Sequence, residues 1–182
     1  MRAASFLTRL SDGLNKIALA GAITAVVVMA AAAAYQVVAR YIFDAPPIWT
    51  EELARRAMVW AGMLGASVAF HERSDPTLFP QMAARVGRSG TWLALIRVAG
   101  VAVFAAPVLY YSLFGPGMTL ARGFLGRSLE REAEMLGVAM VWFTAAVPVA
   151  FVIIVIHAAA GFARHLSNAP EPVDAPPEES LP

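Results

Sequence analysis

Three arginines and three acids crowd one short stretch of this chain: Arg40-Tyr41-Ile42-Phe43-Asp44-Ala45-Pro46-Pro47-Ile48-Trp49-Thr50-Glu51-Glu52-Leu53-Ala54-Arg55-Arg56. The chemistry these side chains can do is ion pairing and surface recognition. Glu51 and Arg55, like Glu52 and Arg56, stand at i and i+4 with the acid N-terminal, the better orientation for a helical pair, and the acids also favour the positive end of a helix dipole. Thr50 can cap that helix, and Pro46-Pro47 makes a turn that no helix can run through. Trp49 then falls at the depth indole rings prefer, the membrane-water boundary. Two readings of the charges stand side by side. In one, the segment is a self-satisfied helix start from which Arg55 and Arg56 snorkel outward. In the other it is a docking surface, because two arginines placed about a turn inside a membrane helix cost free energy that a plain anchor avoids.

The other residues with chemical potential are His71 and His157. Both fall toward the same side of the membrane near helix ends, and a haem-bearing anchor would need two such ligands on facing helices. A Soret band in the purified protein would decide for that alternative. The ordinary role of a lone histidine near a helix end is interfacial. The chain has no cysteine, which excludes disulfides, thiolate metal sites and a cysteine nucleophile. It shows no nucleophile motif and no glycine-rich phosphate loop, so no catalytic, metal or cofactor site is expected. A net charge of +1 offers no basic surface for nucleic acid.

The elements that hold these residues follow from composition. With 59% hydrophobic residues and a mean hydropathy of +0.62, 182 residues carry more apolar surface than a globular core could hide from water. Crossing a bilayer takes roughly 20 apolar residues. Four segments reach that length: Ile17 to Ala39, 51 to 70, Thr91 to Phe114, and Met135 to Phe162. Backbone groups in lipid must be paired within their own segment, so each is read as a helix. The expected fold is all-α, an integral membrane four-helix bundle. Pro107 and Pro148 are tolerated kinks in the third and fourth helices. Gln36 and Arg97 either pair across the bundle or snorkel. On the second helix Ala54, Met58, Gly62 and Ala66, and beside them Ala61, Gly65 and Ala69, form rows of small residues that let another helix approach closely. Whether that helix belongs to this chain or to a partner is open at this point.

The first apolar run is longer than the roughly 7–15 residues of a signal-peptide core, so it reads as an uncleaved helix. Arg2, Arg9 and Lys16 flank its start, which puts residues 1–16 and both termini in the cytoplasm. Between the second and third helices, Asp75-Pro76 opens a short amphipathic helix with Phe79, Met82 and Val86 on one face and Gln81, Arg85 and Arg88 on the other. It suits the membrane interface, with its arginines on lipid headgroups. Residues 167–182 are acidic and proline-rich and are expected to be disordered.

Arg40-Tyr41-Ile42-Phe43, then Trp49-Thr50-Glu51-Glu52-Leu53-Ala54-Arg55, then Trp60 and Gly65-Ala66, resemble the signature of the small membrane subunit, the Q subunit, of tripartite ATP-independent periplasmic (TRAP) transporters. Leu136-Gly137, Trp142 and Val147-Pro148 are similar to the family's pattern in its fourth helix. The turn at His71-Glu72-Arg73-Ser74-Asp75-Pro76 departs from the family's spacing, so no role attached to that turn carries over. The resemblance implies a bacterial inner-membrane system for sodium-driven uptake of organic acids. In it a large membrane subunit moves substrate as an elevator and a soluble periplasmic protein captures it. The small subunit serves as scaffold for the first and helps dock the second. Arg40, Tyr41, Trp49, Glu51, Glu52, Arg55 and Arg56 would form the docking or scaffold surface, and Trp60, Gly62, Gly65, Ala66, Trp142 and Pro148 the helix packing. The absence of a broken helix or an intramembrane carboxylate in this chain fits a subunit that does not itself carry the ion.

Overall fold

A computed structural model describes residues 2–72 and 88–167, and every extended element among them is helical. Four helices are long: α1 (Arg2–Tyr41), α2 (Trp49–Glu72), α3 (Arg88–Leu113) and α6 (Ala146–Leu166). Two short ones, α4 (Phe124–Leu129) and α5 (Val141–Thr144), lie in the stretch between α3 and α6, preceded by a single 3-10 turn at Leu120–Arg122. Among the described residues three segments are long and apolar enough to cross a membrane: Ser5–Tyr41, Gly90–Leu113 and Val141–Leu166. The expected interfacial helix after Asp75 and the acidic tail lie outside the described residues.

α1 and α2 pack antiparallel, and α6 lies against both, while α3 lies on α6. The centre is built by ridges at i, i+4 and i+8: Leu14, Ala18 and Ala22 of α1 meet Trp60, Leu64 and Val68 of α2, with Ile153 of α6 closing the cluster. Small residues on α1 set the close spacing. At Gly21 even a methyl group would sit 2.8 Å from Leu64 Cδ1. Outward, the pattern is the reverse of a water-soluble bundle. Ile17, Ile23, Val27, Ile96, Val103 and Phe104 are all exposed, as faces turned toward lipid or another membrane subunit must be. Hydroxyls along the helices bond back to their own helix, Thr24 to the Ala20 carbonyl and Ser67 to that of Leu64, so they add no unpaired polar group to the apolar layer.

Two helix boundaries differ from the sequence expectation. The first helix begins at Arg2, not Ile17. At 40 residues it is about 60 Å long, twice the roughly 30 Å hydrocarbon layer, so its polar first turns continue the same rod beyond the membrane. The last apolar helical segment begins at Val141, not Met135. Residues 133–140 form a tight turn in which Ala133 and Val138 share a backbone bond of 2.8 Å, Glu132 bridges to Ala139, and Gly137 takes a positive φ of 62°. A hydropathy reading registers the apolar Met135-Leu136 and cannot see the left-handed glycine that stops the helix there. The break at Ala145 between α5 and α6 falls three residues before Pro148, whose ring displaces the preceding turn and which has no N–H to bond back to Thr144.

Candidate functional site

The turn between α1 and α2 is tied at both edges. Ile42 and Ala45 donate their N–H groups to the carbonyls of Val38 and Ala39, and Asp44 at the corner takes a φ of 49°, a left-handed conformation that aspartate tolerates better than most residues. Thr50 is fully buried, but it does not cap α2. Its hydroxyl donates to the Pro47 carbonyl at 2.7 Å and so fastens the proline turn to the helix. Trp49 stacks on Tyr35 of α1 with ring centroids 6.0 Å apart.

The two acid-arginine pairs, alike in sequence, separate in the structure. Glu51 and Arg55 approach to 3.7 Å with both side chains about two-thirds exposed, the geometry of a weak surface pair. Glu52 is buried and fully engaged. One carboxylate oxygen accepts from Arg56 at 2.9 Å and the other from the backbone N–H of Met135, also at 2.9 Å. Arg56 in turn lies over the Phe143 ring, 5.6 Å from its centroid. One turn further along, the Trp60 indole N–H donates to the Trp142 carbonyl at 2.9 Å. Glu52, Arg56 and Trp60 therefore form a ladder at i, i+4 and i+8 on one face of α2, and all three rungs grip the segment that leads into α6.

The remaining expected site residues sit apart from the ladder. Arg40, Tyr41 and Glu51 are exposed at the helix ends that flank the turn, as is Asp44 at its corner, and among the described residues neither Arg40 nor Asp44 forms an ion pair. Of Trp142 the structure uses the carbonyl, while its ring points outward. Pro148 is buried, whereas Gly62 and Gly65 have open space where a side chain would begin, so among the described residues no helix fills that face of α2. Met135 and Phe143 complete the site without having been foreseen. The Met135 contribution is a backbone N–H, which carries no sequence signal at all.

At the opposite end a second polar cluster joins three helices. Ser11 Oγ lies 2.7 Å from His157 Nδ1, His71 Nε2 lies 3.2 Å from Asp12 Oδ1, and the two imidazoles meet edge to face with centroids 4.7 Å apart. Asn15 reaches Glu72 at 3.4 Å, and Thr91 lies 3.3 Å from His165. Two axial histidines must stand on opposite faces of a haem. Here His71 and His157 touch each other directly, so the pair is not arranged as haem ligands. Arg97 also belongs to this end, with its guanidinium 4.6 Å from the Phe70 ring centroid and 3.4 Å from the Phe70 carbonyl. Gln36, close to the other end of α1, lies far from it along the bundle.

Helices form every extended element among the described residues, three segments there are fit to cross a bilayer, and polar clusters stand at the two ends of the packed core, which makes the chain an integral membrane protein. Residues 29–168 match the family described as tripartite ATP-independent periplasmic transporters, DctQ component, and the chain belongs to that family as a small membrane subunit of a TRAP transporter. A search of curated proteins returns no significant match.

Proposed function

We propose that this subunit spans the bacterial inner membrane four times, with α2 as the fourth crossing, and that it acts as the fixed scaffold for a large elevator-type subunit in sodium-driven uptake of organic acids. The turn at residues 42–48, together with the 133–140 turn that the α2 ladder holds beside it, forms the docking face for the periplasmic substrate-binding protein. Both ends of the chain face the cytoplasm. The carrying observation is the mismatch between apolar surface and self-packing. Among the described residues only 6% of the apolar stretch of α3 is buried, and Gly62 and Gly65 of α2 open onto empty space. Such surface suits a partner helix at close range better than it suits a self-contained channel. The α2 crossing has further support from α1, because the two run antiparallel in close contact through the apolar core.

Cysteine accessibility tests the topology. With four crossings, Ala45→Cys reacts with a membrane-impermeant thiol reagent in intact spheroplasts, and Glu72→Cys reacts only after lysis. Labelling of both positions from the same side would overturn the α2 crossing. Labelling in the reverse sense would move the proposed docking face into the cytoplasm. Copurification with the large subunit in mild detergent, and uptake by the reconstituted three-part system but not by this chain alone, test the scaffold role.

A further inference from the structure

Beyond α3 the chain doubles back on itself through a turn with unusual backbone demands. Phe114 continues the helical bonding to the Tyr110 carbonyl, then Gly115 and Thr119 close the loop through a 3.1 Å backbone bond, with Met118 bonded back to the Gly115 carbonyl. Gly117 takes a φ of 78° and Met118 a φ of 54°. A side chain on Gly115 would strike the backbone of Arg122, and one on Gly123 would strike that of Leu113. The turn is thus pressed shut by two glycine contacts. Met118 is held in a left-handed conformation that a residue without a short polar side chain rarely adopts, a strain that persists only where its surroundings impose it.

What this shape creates is a groove of about 350 Å³ at the C-terminal end of α3. Tyr110, Tyr111 and Phe114 supply an aromatic wall, with the rings of Tyr110 and Phe114 5.5 Å apart, Met118 adds an apolar side, and Arg122 and Arg127 stand along the groove. Both arginines are exposed, and among the described residues neither forms an ion pair. Leu120, Phe124 and Leu129 are also exposed close by in sequence, as are Glu130 and Glu132, while the groove's own lining is aromatic and apolar apart from the two arginines. Tyrosines at a helix end mark the depth of the membrane-water interface, and Trp49 and Trp142 mark it at the same end of the bundle.

We propose that this groove binds one membrane phospholipid, with the headgroup phosphate held by Arg122 and Arg127 and the upper acyl chains lying along Tyr110, Phe114 and Met118. The guanidinium fork matches phosphate geometry bidentately, and at interfacial depth its attraction is screened less than in bulk water. A soluble anion would use the arginines and leave the aromatic wall bare. A phospholipid satisfies both halves of the groove at once. The inference rests on the membrane location of the chain and not on the scaffold role.

The test uses the assembled complex in nanodiscs containing phosphatidylglycerol with a photoactivatable acyl chain, and maps labelled peptides on this subunit. Labelling within 110–118 should fall at least fivefold in the Arg122→Gln/Arg127→Gln double variant relative to labelling around Phe104 in mid-α3, and excess inorganic phosphate should leave it unchanged. Equal labelling of wild type and double variant would overturn the proposal. Competition by inorganic phosphate would assign the arginines to a free anion. No labelling of 110–118 in the assembled complex would mean that another protein covers the groove. Either of these last two results also overturns it.

Discussion

The Glu52 carboxylate accepts the backbone N–H of Met135, 83 residues away in the chain, at 2.9 Å. The bond joins the first turn of α2 to the tight turn before α5, and Arg56 on the other carboxylate oxygen keeps the acid charged and aimed. A residue that in sequence belongs to a symmetrical pair of helix-start ion pairs thereby becomes the anchor of a distant loop. Charge-assisted bonds of this kind are roughly twice as strong as neutral ones, and their geometry is correspondingly strict.

Removing the carboxylate should therefore be felt at Met135 before it is felt in α2. In Glu52→Ala the Met135 amide should exchange with deuterium at least about tenfold faster than in wild type, and its neighbours Leu136 and Gly137 should follow. Glu52→Gln keeps one carbonyl acceptor but loses the charge that holds Arg56, so its effect should fall between the two. Hydrogen-exchange mass spectrometry of the 130–140 peptide reads this directly. Unchanged exchange in Glu52→Ala would show that the backbone turn holds without its anchor.

Ser11 makes a parallel case at the other end. It is fully buried and is the hydrogen-bond partner of His157 Nδ1, so Ser11→Ala leaves a buried ring nitrogen unpaired at a cost of about 1–3 kcal/mol. The thermal midpoint of the purified subunit should drop clearly. Thr24→Ala, which removes an exposed hydroxyl bonded only to its own helix, should leave it in place. A drop of equal size in both variants would mean that the hydroxyls act through the helix backbone and not through the histidine.

Much of this architecture was legible because it is local. The i, i+4 acid-arginine spacing, the proline turn and the long apolar runs each state their consequence within one helix, and the helices formed where those signals lie. What could not be read depends on distant partners. Glu51 and Glu52 carry the same local pattern, and only the position of Met135 makes one exposed and the other buried. Met135 to Met140 looks like the start of a span, and only the left-handed Gly137 ends that reading. The polar residues of the first turns gave no sign of being helix, because Ser11, Asp12 and Asn15 find their partners on α2 and α6. α2 itself falls short of the other spans in apolar content because the same helix carries Glu51, Glu52, Arg55 and Arg56 in its first turns.

The glycines of α1 and α2 separate packing inside the chain from packing against a partner. Gly21 faces Leu64, so Gly21→Ala should be absorbed by a small rotation of that side chain, while Gly21→Phe overpacks the α1–α2 contact and should destabilise the isolated subunit by about 1–3 kcal/mol. Gly65 meets nothing among the described residues, so Gly65→Leu should leave the subunit's thermal midpoint unchanged and still weaken copurification with the large subunit. Full copurification of Gly65→Leu would mean that this face points at lipid.

The exposed charges on the turn are the proper test of docking, because Glu52 is committed inward and any variant of it also disturbs the loop. Arg40 and Asp44 form no ion pair among the described residues, and Glu51 pairs with Arg55 only loosely at 3.7 Å in a setting where such a pair contributes about 0–1 kcal/mol. Structural roles for Arg40 and Glu51 are therefore slight, and Arg40→Glu or Glu51→Lys should insert, assemble and show wild-type exchange at Met135. If the turn receives the periplasmic protein, each reversal should nonetheless cut uptake by the reconstituted three-part system severely, and more so at low ionic strength, where interfacial charges are less screened. A compensating charge reversal on the periplasmic protein should restore part of the loss. Normal uptake with both reversals combined, at wild-type membrane levels and with Met135 still protected, would leave the turn a structural connection and move the docking face elsewhere.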